Sequence, residues 1–169
     1  PTGAGKSICY QVPAAMMEGI TLVISPLISL MKDQVGTLNE NGIRAAFFNS
    51  SLTFAQYQKA LQLAKQYTYK IIYVAPERLL NDEFLAFAKQ MNIAMVCVDE
   101  AHCVSQWGQD FRPHYLQIQS FLKQLPKRPM VSAFTATATS EVKADIIRLL
   151  DMKQPFEITT GFDRKNLYF

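Results

Sequence analysis

The chain contains five short apolar runs separated by stretches long enough to form helices, and this pattern limits the folds open to it. The runs cover residues 21–25, 45–48, 70–74, 94–98 and 130–135, and a weaker sixth covers 156–159. Each is rich in β-branched residues and nearly continuous in hydrophobicity, which is typical of strands buried on both faces of a sheet. Such strands belong to parallel sheets, because crossover helices cover both faces of a parallel sheet.

The stretches between the runs have the spacing of amphipathic helices. Thr53 and Gln56 form a capping-box pattern ahead of a helical repeat that continues to residue 65. Ser140 stands at the predicted N-cap of a second repeat, with Glu141 in its first turn. Strands that alternate with helices form βαβ units, so the sequence predicts an α/β fold of three layers around a mostly parallel sheet.

Length and composition indicate one globular domain with a substantial core, since the 169 residues are 49% hydrophobic and 18% charged. The formal net charge of +3 is too small to require a polyanionic partner and does not exclude one. No apolar run approaches the roughly 20 residues of a membrane span, so no membrane partner is expected. Three cysteines without a C-x-x-C pair fit a reducing compartment, cytoplasmic or nuclear, and not a secreted protein.

Residues 1–7, PTGAGKS, match all but the first position of the phosphate-binding pattern Gly-x-x-x-x-Gly-Lys-[Ser/Thr]. In such a loop the backbone N–H groups and the dipole of the following helix bind phosphate, and glycines let the chain approach closely. Lys6 is predicted to reach the β- and γ-phosphate oxygens and Ser7 to bind Mg²⁺. A glycine turn ahead of an ordinary helix is the alternative. The candidate nucleotide-binding residues are Thr2, Gly3, Ala4, Gly5, Lys6 and Ser7.

Two acidic residues, Asp99 and Glu100, directly follow the apolar run at 94–98. Phosphoryl transfer needs one carboxylate near the metal ion and usually a second that orients the attacking water, both at the carboxyl end of a buried strand. Asp99 is therefore predicted to hold Mg²⁺, and Glu100 to orient or deprotonate the water. With the phosphate loop, the pair predicts a nucleotide-hydrolysing site in which Lys6 and Glu100 are the catalytic residues.

The segment VDEAH at residues 98–102 resembles the second motif of the superfamily 2 helicases. Three further segments lie around it in that family's order: SPLISLMKDQV at 25–35 resembles motif Ia, VAPERL at 74–79 resembles motif Ib, and AFTATAT at 133–139 resembles motif III. The segment AHCVSQWGQDFRPHY, residues 101–115, is similar to the aromatic-rich loop of the RecQ-type DNA helicases. The chain thus resembles most of the first RecA-like motor domain of a RecQ-type helicase.

The resemblance places residues 1–160 in this first RecA-like, P-loop NTPase domain, without the strand that feeds the phosphate loop. Residues 161–169, GFDRKNLYF, are similar to the segment that leads into the second RecA-like domain, with Lys165 where that family usually has proline. An arginine finger of the second domain would complete the site. We therefore expect the chain alone to hydrolyse ATP slowly or not at all.

The resemblance also implies roles that spacing alone does not assign. Trp107, Phe111 and Tyr115 recur at intervals of four, and core packing on one helix face explains that spacing as well as base stacking does. Gly108 and Pro113 interrupt a regular helix and favour a loop. By resemblance, the residues that couple hydrolysis to DNA are His102, Gln106, Trp107, Phe111, Arg112, Thr135 and Thr137. Those that contact DNA are Ser25, Pro26, Pro76, Glu77, Arg78, Trp107 and Phe111, and simple strand-to-helix turns explain the first five equally well.

The function that the resemblance implies is that of an ATP-dependent DNA helicase, which moves 3′ to 5′ and unwinds DNA in recombination and repair. Its cofactors would be ATP and Mg²⁺, and its partners single-stranded DNA, duplex junctions and the second RecA-like domain. Three alternatives stay open: another superfamily 2 motor such as an RNA helicase or translocase, a nucleotide-dependent DNA-binding module without unwinding, and a small-molecule kinase.

Overall fold

The computed structural model describes residues 5–159 and shows one sheet within them. Its strands are β1 (Ile20–Ile24), β2 (Ala45–Phe48), β3 (Ile71–Val74), β4 (Ile93–Val98) and β5 (Met130–Ala133). Every neighbouring pair is parallel, and the order across the sheet is β2-β3-β1-β4-β5. The predicted α/β fold with a parallel sheet is confirmed. The strand that the resemblance places ahead of the phosphate loop lies outside the described residues.

Helices cover both faces of this sheet. The longer helices in the described range are α1 (Lys6–Met16), α2 (Ile28–Glu40), α3 (Phe54–Lys65), α4 (Asp82–Gln90), α5 (Gln117–Gln124) and α6 (Ser140–Leu149). Short 3-10 turns cover Pro76–Arg78, Ala101–Val104 and Pro113–Leu116. The apolar sides of α1 and α2 pack on one face, and those of α3, α4, α5 and α6 pack on the other. The fold therefore has the three layers that the sequence predicts.

The central strands contribute to both apolar cores, because their side chains alternate between the two faces. On β1, Val23 packs toward α1 and α2, whereas Leu22 and Ile24 pack toward the opposite layer, and all three are fully buried. Burial of each such side chain contributes roughly 1.5–3 kcal/mol to stability. β5 is only half-buried and Met130 is 59% exposed. This differs from the expected burial on both faces, because β5 pairs with β4 alone among the described residues.

Side-chain caps explain where two helices begin. Thr53 Oγ1 accepts from Gln56 N (3.3 Å) and Gln56 Oε1 accepts from Thr53 N (2.9 Å), so the predicted capping box is confirmed. The predicted cap at Ser140 is wrong by one residue, since Thr139 is the N-cap and its Oγ1 accepts from Val142 N (3.4 Å). Thr139 has the extended backbone that an N-cap requires, whereas Ser140 already belongs to the helix.

The weak sixth run also differs from expectation. Residues 156–159 form no strand, and both Phe156 and Ile158 point into solvent at 90% and 74% exposure. β5 ends at Ala133 instead of continuing to Thr135. No helix in the described part of the chain is long and apolar enough to cross a membrane.

We expect Thr53→Ala to weaken the start of α3, because the N–H of Gln56 loses its acceptor. Loss of such a cap costs about 1 kcal/mol, which corresponds to roughly fivefold faster exchange of the first-turn amides when 1.4 kcal/mol is a factor of ten. Hydrogen exchange read by mass spectrometry measures this directly. Thr37→Ala, at an exposed position inside α2, is the matched control. Equal exchange in α3 of Thr53→Ala and the unsubstituted protein would contradict the capping role.

Candidate functional site

The carboxyl ends of the parallel strands meet at one edge of the sheet and gather most of the predicted site residues. Ser25 follows β1, Asp99 follows β4, and Thr135 lies two residues beyond β5. α1 starts with Lys6 at this same edge and ends at the opposite edge, where the chain enters β1. Ligands of open α/β sheets bind outside the carboxyl ends of the strands. The end of the domain that carries these four residues is called the carboxyl edge below.

The start of α1 has a backbone suited to an anion. Gly5 is the N-cap in the left-handed conformation (φ 70°, ψ 25°), and no side chain caps the helix there. The first N–H groups of a helix lack intrahelical partners and lie at the positive end of its dipole, so they favour a phosphate group. Lys6 and Ser7 are half-buried at this position. The predicted nucleotide contacts Thr2, Gly3 and Ala4 lie outside the described residues.

Asp99 is a buried carboxylate, only 8% exposed, directly after β4. Its N–H donates to Ile24 O (2.8 Å), and its Oδ1 accepts from Glu100 N (3.0 Å). Burial and the charge of Glu100 raise the pKa of Asp99, and the Glu100 N–H and the positive charge of Lys6 oppose that rise. The positive charge of Lys6 thus favours the ionised form of Asp99. A buried carboxylate beside a second carboxylate is stabilised by a cation, so Asp99 fits the predicted Mg²⁺ site.

The chemistry of the available donors also fits Mg²⁺ better than a transition metal. In the described range no three or more His, Cys, Asp or Glu side chains are arranged to hold a metal ion. Mg²⁺ rarely needs such a cage, because it is usually held by one or two carboxylates together with waters and phosphate oxygens. The Ser7 hydroxyl and the Asp99 carboxylate are oxygen donors of that kind.

Glu100 has a left-handed backbone (φ 46°, ψ 46°), which costs of order 1–2 kcal/mol for a residue with a Cβ. Backbone hydrogen bonds hold this turn: Ala101 N donates to Phe134 O (2.9 Å), and Cys103 N donates to Glu100 O (2.9 Å). Strained backbones of this kind cluster at functional sites. The turn bends the chain sharply after β4 and leaves the Glu100 carboxylate half-buried beside Asp99.

His102 connects the acidic pair to the segment after β5. Its Nδ1 lies 2.8 Å from Thr135 Oγ1 and 3.3 Å from Glu100 Oε2. Thr135 Oγ1 also donates to Thr137 O (3.0 Å), an arrangement that suits the tautomer in which Nδ1 of His102 carries the hydrogen. The structure thus brings three predicted coupling residues, His102, Thr135 and Thr137, into one hydrogen-bonded chain, and His102 also lies in ion-pair range of Glu100.

The three aromatic residues spaced at four occupy different environments. Trp107 is 79% exposed, Phe111 is half-buried and Tyr115 is fully buried. Residues 105–112, called the aromatic loop here, lie between two 3-10 turns, so a single helix face is the wrong interpretation of their spacing. Tyr115 packs in the core, as the core-packing interpretation predicts, whereas Trp107 does not. Gln106 is exposed as well.

Tyr115 has a positioning role that the sequence did not indicate. Its hydroxyl donates to the backbone oxygen of Asp99 (2.9 Å) from inside the core, which fixes the start of the acidic turn. Its spacing matches that of Trp107 and Phe111, so no signal in the sequence separates the buried ring from the exposed one.

Gly108 attaches the aromatic loop to the acidic turn by close contact. A Cβ at this position would lie 2.3 Å from His102 O and 3.1 Å from Ser105 O, so only glycine fits. In the sequence Gly108 indicates only the interruption of a helix, whereas in the structure it makes a contact that no larger residue can make.

Two polar side chains hold the rest of the loop. The guanidinium of Arg112 binds Asp110 (2.7 and 3.0 Å) and donates to Pro26 O (3.3 Å), which joins the loop to the turn after β1. Ser105, buried and not predicted from the sequence, donates to Asp145 Oδ2 in α6 (2.7 Å) and accepts from Trp107 N (3.2 Å). The loop is therefore attached to elements on both sides of β4.

The remaining candidates for DNA contact lie at the carboxyl edge, and their side chains differ in solvent exposure. Ser25 is 1% exposed and its hydroxyl has no hydrogen-bond partner in the described part of the chain, and Pro76 is also buried. Pro26 and Arg78 are half-buried, and Glu77 is exposed. Ser25 and Pro76 therefore shape the turns after β1 and β3, and their side chains are not accessible to a partner in this conformation.

Comparison with known proteins supports the resemblance found in the motifs. The family model for the DEAD/DEAH box helicase matches residues 1–145. The chain is 50% identical over 169 residues to the ATP-dependent DNA helicase RecQ of Bacillus subtilis. The aligned region spans 100% of this chain and 29% of that protein. It is 46% identical over 168 residues to the RecQ helicase of Pasteurella multocida, covering 99% of the chain and 26% of the relative. The chain therefore spans less than a third of the length of these relatives. The sequence identities of 50% and 46% confirm its resemblance to RecQ-type helicases.

Solved structures confirm the fold. A hypothetical ATP-dependent RNA helicase from Sulfolobus tokodaii superposes with a TM-score of 0.69 at 20% identity, over 93% of this chain and 45% of the other. The Hef helicase domain of Pyrococcus furiosus superposes with a TM-score of 0.65 at 20% identity, over 91% of this chain and 32% of the other. The parallel sheet, the acidic pair at its carboxyl edge and the match of the family model lead to one conclusion: the chain belongs to the DEAD/DEAH box helicase family.

Proposed function

We propose that the chain is the first motor domain of an ATP-dependent DNA helicase of the RecQ type, which moves 3′ to 5′ along DNA during recombination and repair. The observation that carries the proposal is the arrangement at the carboxyl edge. The start of α1, the buried Asp99 and the half-buried Glu100 share this edge, and His102 lies 3.3 Å from the Glu100 carboxylate while it hydrogen-bonds to Thr135. The names of relatives that are 50% and 46% identical support DNA as the substrate over the RNA helicase, kinase and simple binding-module alternatives.

The residues present fit ATP with Mg²⁺. The Lys6 ammonium and the first N–H groups of α1 would hold the phosphates, and Ser7 and Asp99 would hold the ion, which neutralises charge on the phosphate oxygens. Glu100 would orient the attacking water and accept its proton. The Glu100 carboxylate is also 3.3 Å from His102 Nδ1, so the same side chain that faces the water is coupled to Thr135.

The aromatic loop would carry the coupling to DNA. Trp107 exposes 79% of its surface at the same edge as the acidic pair, and an exposed aromatic side chain can stack on a base of single-stranded DNA. Gly108, Ser105 and Arg112 hold the loop against the acidic turn, α6 and the turn after β1. A base that displaces Trp107 would therefore shift groups next to Glu100 and His102.

The rest of the proposed cycle lies outside this chain. A second RecA-like domain would supply an arginine finger and close over ATP, and such a finger contributes roughly 10³–10⁵-fold to phosphoryl transfer. We also propose that the protein acts where the chromosome lies, in the cytoplasm of a bacterium or the nucleus of a eukaryote. DNA as the proposed substrate is the support for that location.

We expect Glu100→Gln in the complete protein to lower ATP turnover by roughly 10²–10⁴-fold, because the amide cannot accept the proton of water. Lys6→Ala should abolish turnover by weakening phosphate binding. Steady-state hydrolysis with single-stranded DNA checks both, and a fluorescent ATP analogue tests whether Glu100→Gln still binds nucleotide. Glu40→Gln, an exposed position at the end of α2, is the matched control. Normal turnover by Glu100→Gln would refute its role as the base.

We expect Trp107→Ala to weaken DNA binding and the stimulation of hydrolysis by DNA while sparing ATP binding. Base stacking on an aromatic side chain is worth about 1–3 kcal/mol, so affinity for an oligo-dT strand should fall roughly 5- to 150-fold, measured by fluorescence anisotropy. Phe54→Ala removes a similarly exposed ring from α3, 77% exposed, and should have no effect. Equal loss in both variants would exclude a specific stacking site.

We expect Gly108→Ala to separate DNA stimulation from basal hydrolysis, because the new Cβ must push the loop away from His102 O. Overpacking of this kind costs about 1–3 kcal/mol, so stimulation by DNA should fall roughly tenfold. Gly36→Ala is the matched control, since it lies in α2 with no heavy atom within 4 Å of its added Cβ. Full stimulation of Gly108→Ala would show that the contact with His102 O does not position the loop.

A further inference from the structure

A partly buried polar network lies beneath α1, and it shares no hydrogen bond with the acidic pair or the aromatic loop in the described part of the chain. The amide nitrogen of Gln11 donates to Tyr73 Oη (3.1 Å) and to Gln34 Oε1 (2.7 Å). The hydroxyls of Tyr73 and Tyr10 are 3.3 Å apart, and both rings are buried, at 1% and 3% exposure. Each hydrogen of the Gln11 amide thus has an acceptor, which leaves the hydrogen of Tyr73 free for Tyr10.

The network joins three elements that lead to different parts of the proposed site. Gln11 and Tyr10 lie on α1, in the second turn after Lys6. Tyr73 lies on β3, which runs directly into the Pro76–Arg78 turn. Gln34 lies on α2, which follows the turn at Ser25 and Pro26.

Tyr10 adds a fourth connection. Its ring contacts the ring of Phe134, with centroids 5.6 Å apart and planes at 57°. Phe134 directly precedes Thr135, and its backbone oxygen accepts from Ala101 N in the acidic turn (2.9 Å). A shift of α1 would therefore displace groups at the turns after β1 and β3 and at the end of β5.

Hydrogen bonds fix these elements more precisely than apolar contacts would. The rest of this core layer is mostly apolar, with Val23, Met31 and Met95 buried in it. Apolar contact is non-directional, whereas a hydrogen bond tolerates only a narrow range of distances and angles and contributes about 0.5–1.5 kcal/mol net. The orientation of α1 relative to β3 and α2 in which Gln11 keeps both acceptors is thus favoured.

We propose that Gln11 is a positioning residue that couples nucleotide binding at Lys6 to DNA binding at the turns after β1 and β3, acting through Tyr73 and Gln34. This inference rests on the proposed function, since it concerns how the two ligands of that function influence each other. It adds a second route of coupling, through the hydrogen bonds beneath α1, to the route through His102 and the aromatic loop. Coupling between two ligands is reciprocal, so it can be measured from either side.

The test uses the complete protein with Gln11→Met and Tyr73→Phe, which remove the amide and one hydroxyl while keeping most of the packing volume. Two quantities are measured: the ratio of ATP turnover with and without oligo-dT, and the change in oligo-dT affinity caused by a non-hydrolysable ATP analogue. Gln62→Met and Tyr69→Phe are matched controls, because neither side chain makes a hydrogen bond within the described range. Gln34→Met, at the α2 end of the network, replaces Gln11→Met if that variant does not fold.

We expect both network variants to lower the stimulation ratio and the effect of the analogue by about fivefold or more, the lower range of typical coupling between sites. Their KM for ATP without DNA should stay close to that of the unsubstituted protein, and the double variant should lose no more than either single one. A lower melting temperature with an unchanged stimulation ratio would mean a purely structural role and would overturn the inference. So would equal losses in the controls. Absence of stimulation in the unsubstituted protein would overturn the proposed function, and this inference with it.

Discussion

The parallel direction of the five strands is the constraint on which the rest of the structure depends. It brings the carboxyl ends of all the described strands to one edge, so residues as distant in sequence as Ser25, Asp99 and Thr135 become neighbours along that edge. It also requires a helix between successive strands, and α1 and α2 on one face with α3 to α6 on the other bury both sides of the sheet. The cores hold the edge rigid, and the loops beyond the strands carry the chemistry.

Polar groups at this edge are held by partners from inside the domain. Asp99 is buried after β4, and the hydroxyl of Tyr115 reaches its backbone oxygen from the core. The strained backbone of Glu100 is kept by bonds to and from the neighbouring turn, which include Ala101 N to Phe134 O. The turn after β4 is therefore built together with the end of β5. Under the proposed function, hydrolysis at the turn after β4 would be linked to a change of position at the end of β5.

Much of the fold followed from local pattern, because hydrophobic periodicity and turn chemistry act over a few residues. The five strands, α3 with its capping box and the acidic pair after β4 all lie where the sequence predicts them. The failures have physical causes as well. Thr139 and Ser140 can both cap a helix, and the choice depends on backbone conformation that composition does not reveal. Residues 156–159 are apolar enough for a strand and have no neighbour to pair with in the described part of the chain.

The sequence by itself determined the class of fold and the place of the acidic pair after β4, since each depends on residue types at short spacing. Only the tertiary structure decided which aromatic residue is exposed, because Trp107 and Tyr115 have the same spacing and differ in what packs against them. The contact of Gly108 with His102 O, the bond of Ser105 to Asp145 and the network beneath Gln11 join residues from separate elements. Contacts of this kind arise from how helices pack on the sheet, and no local pattern encodes them.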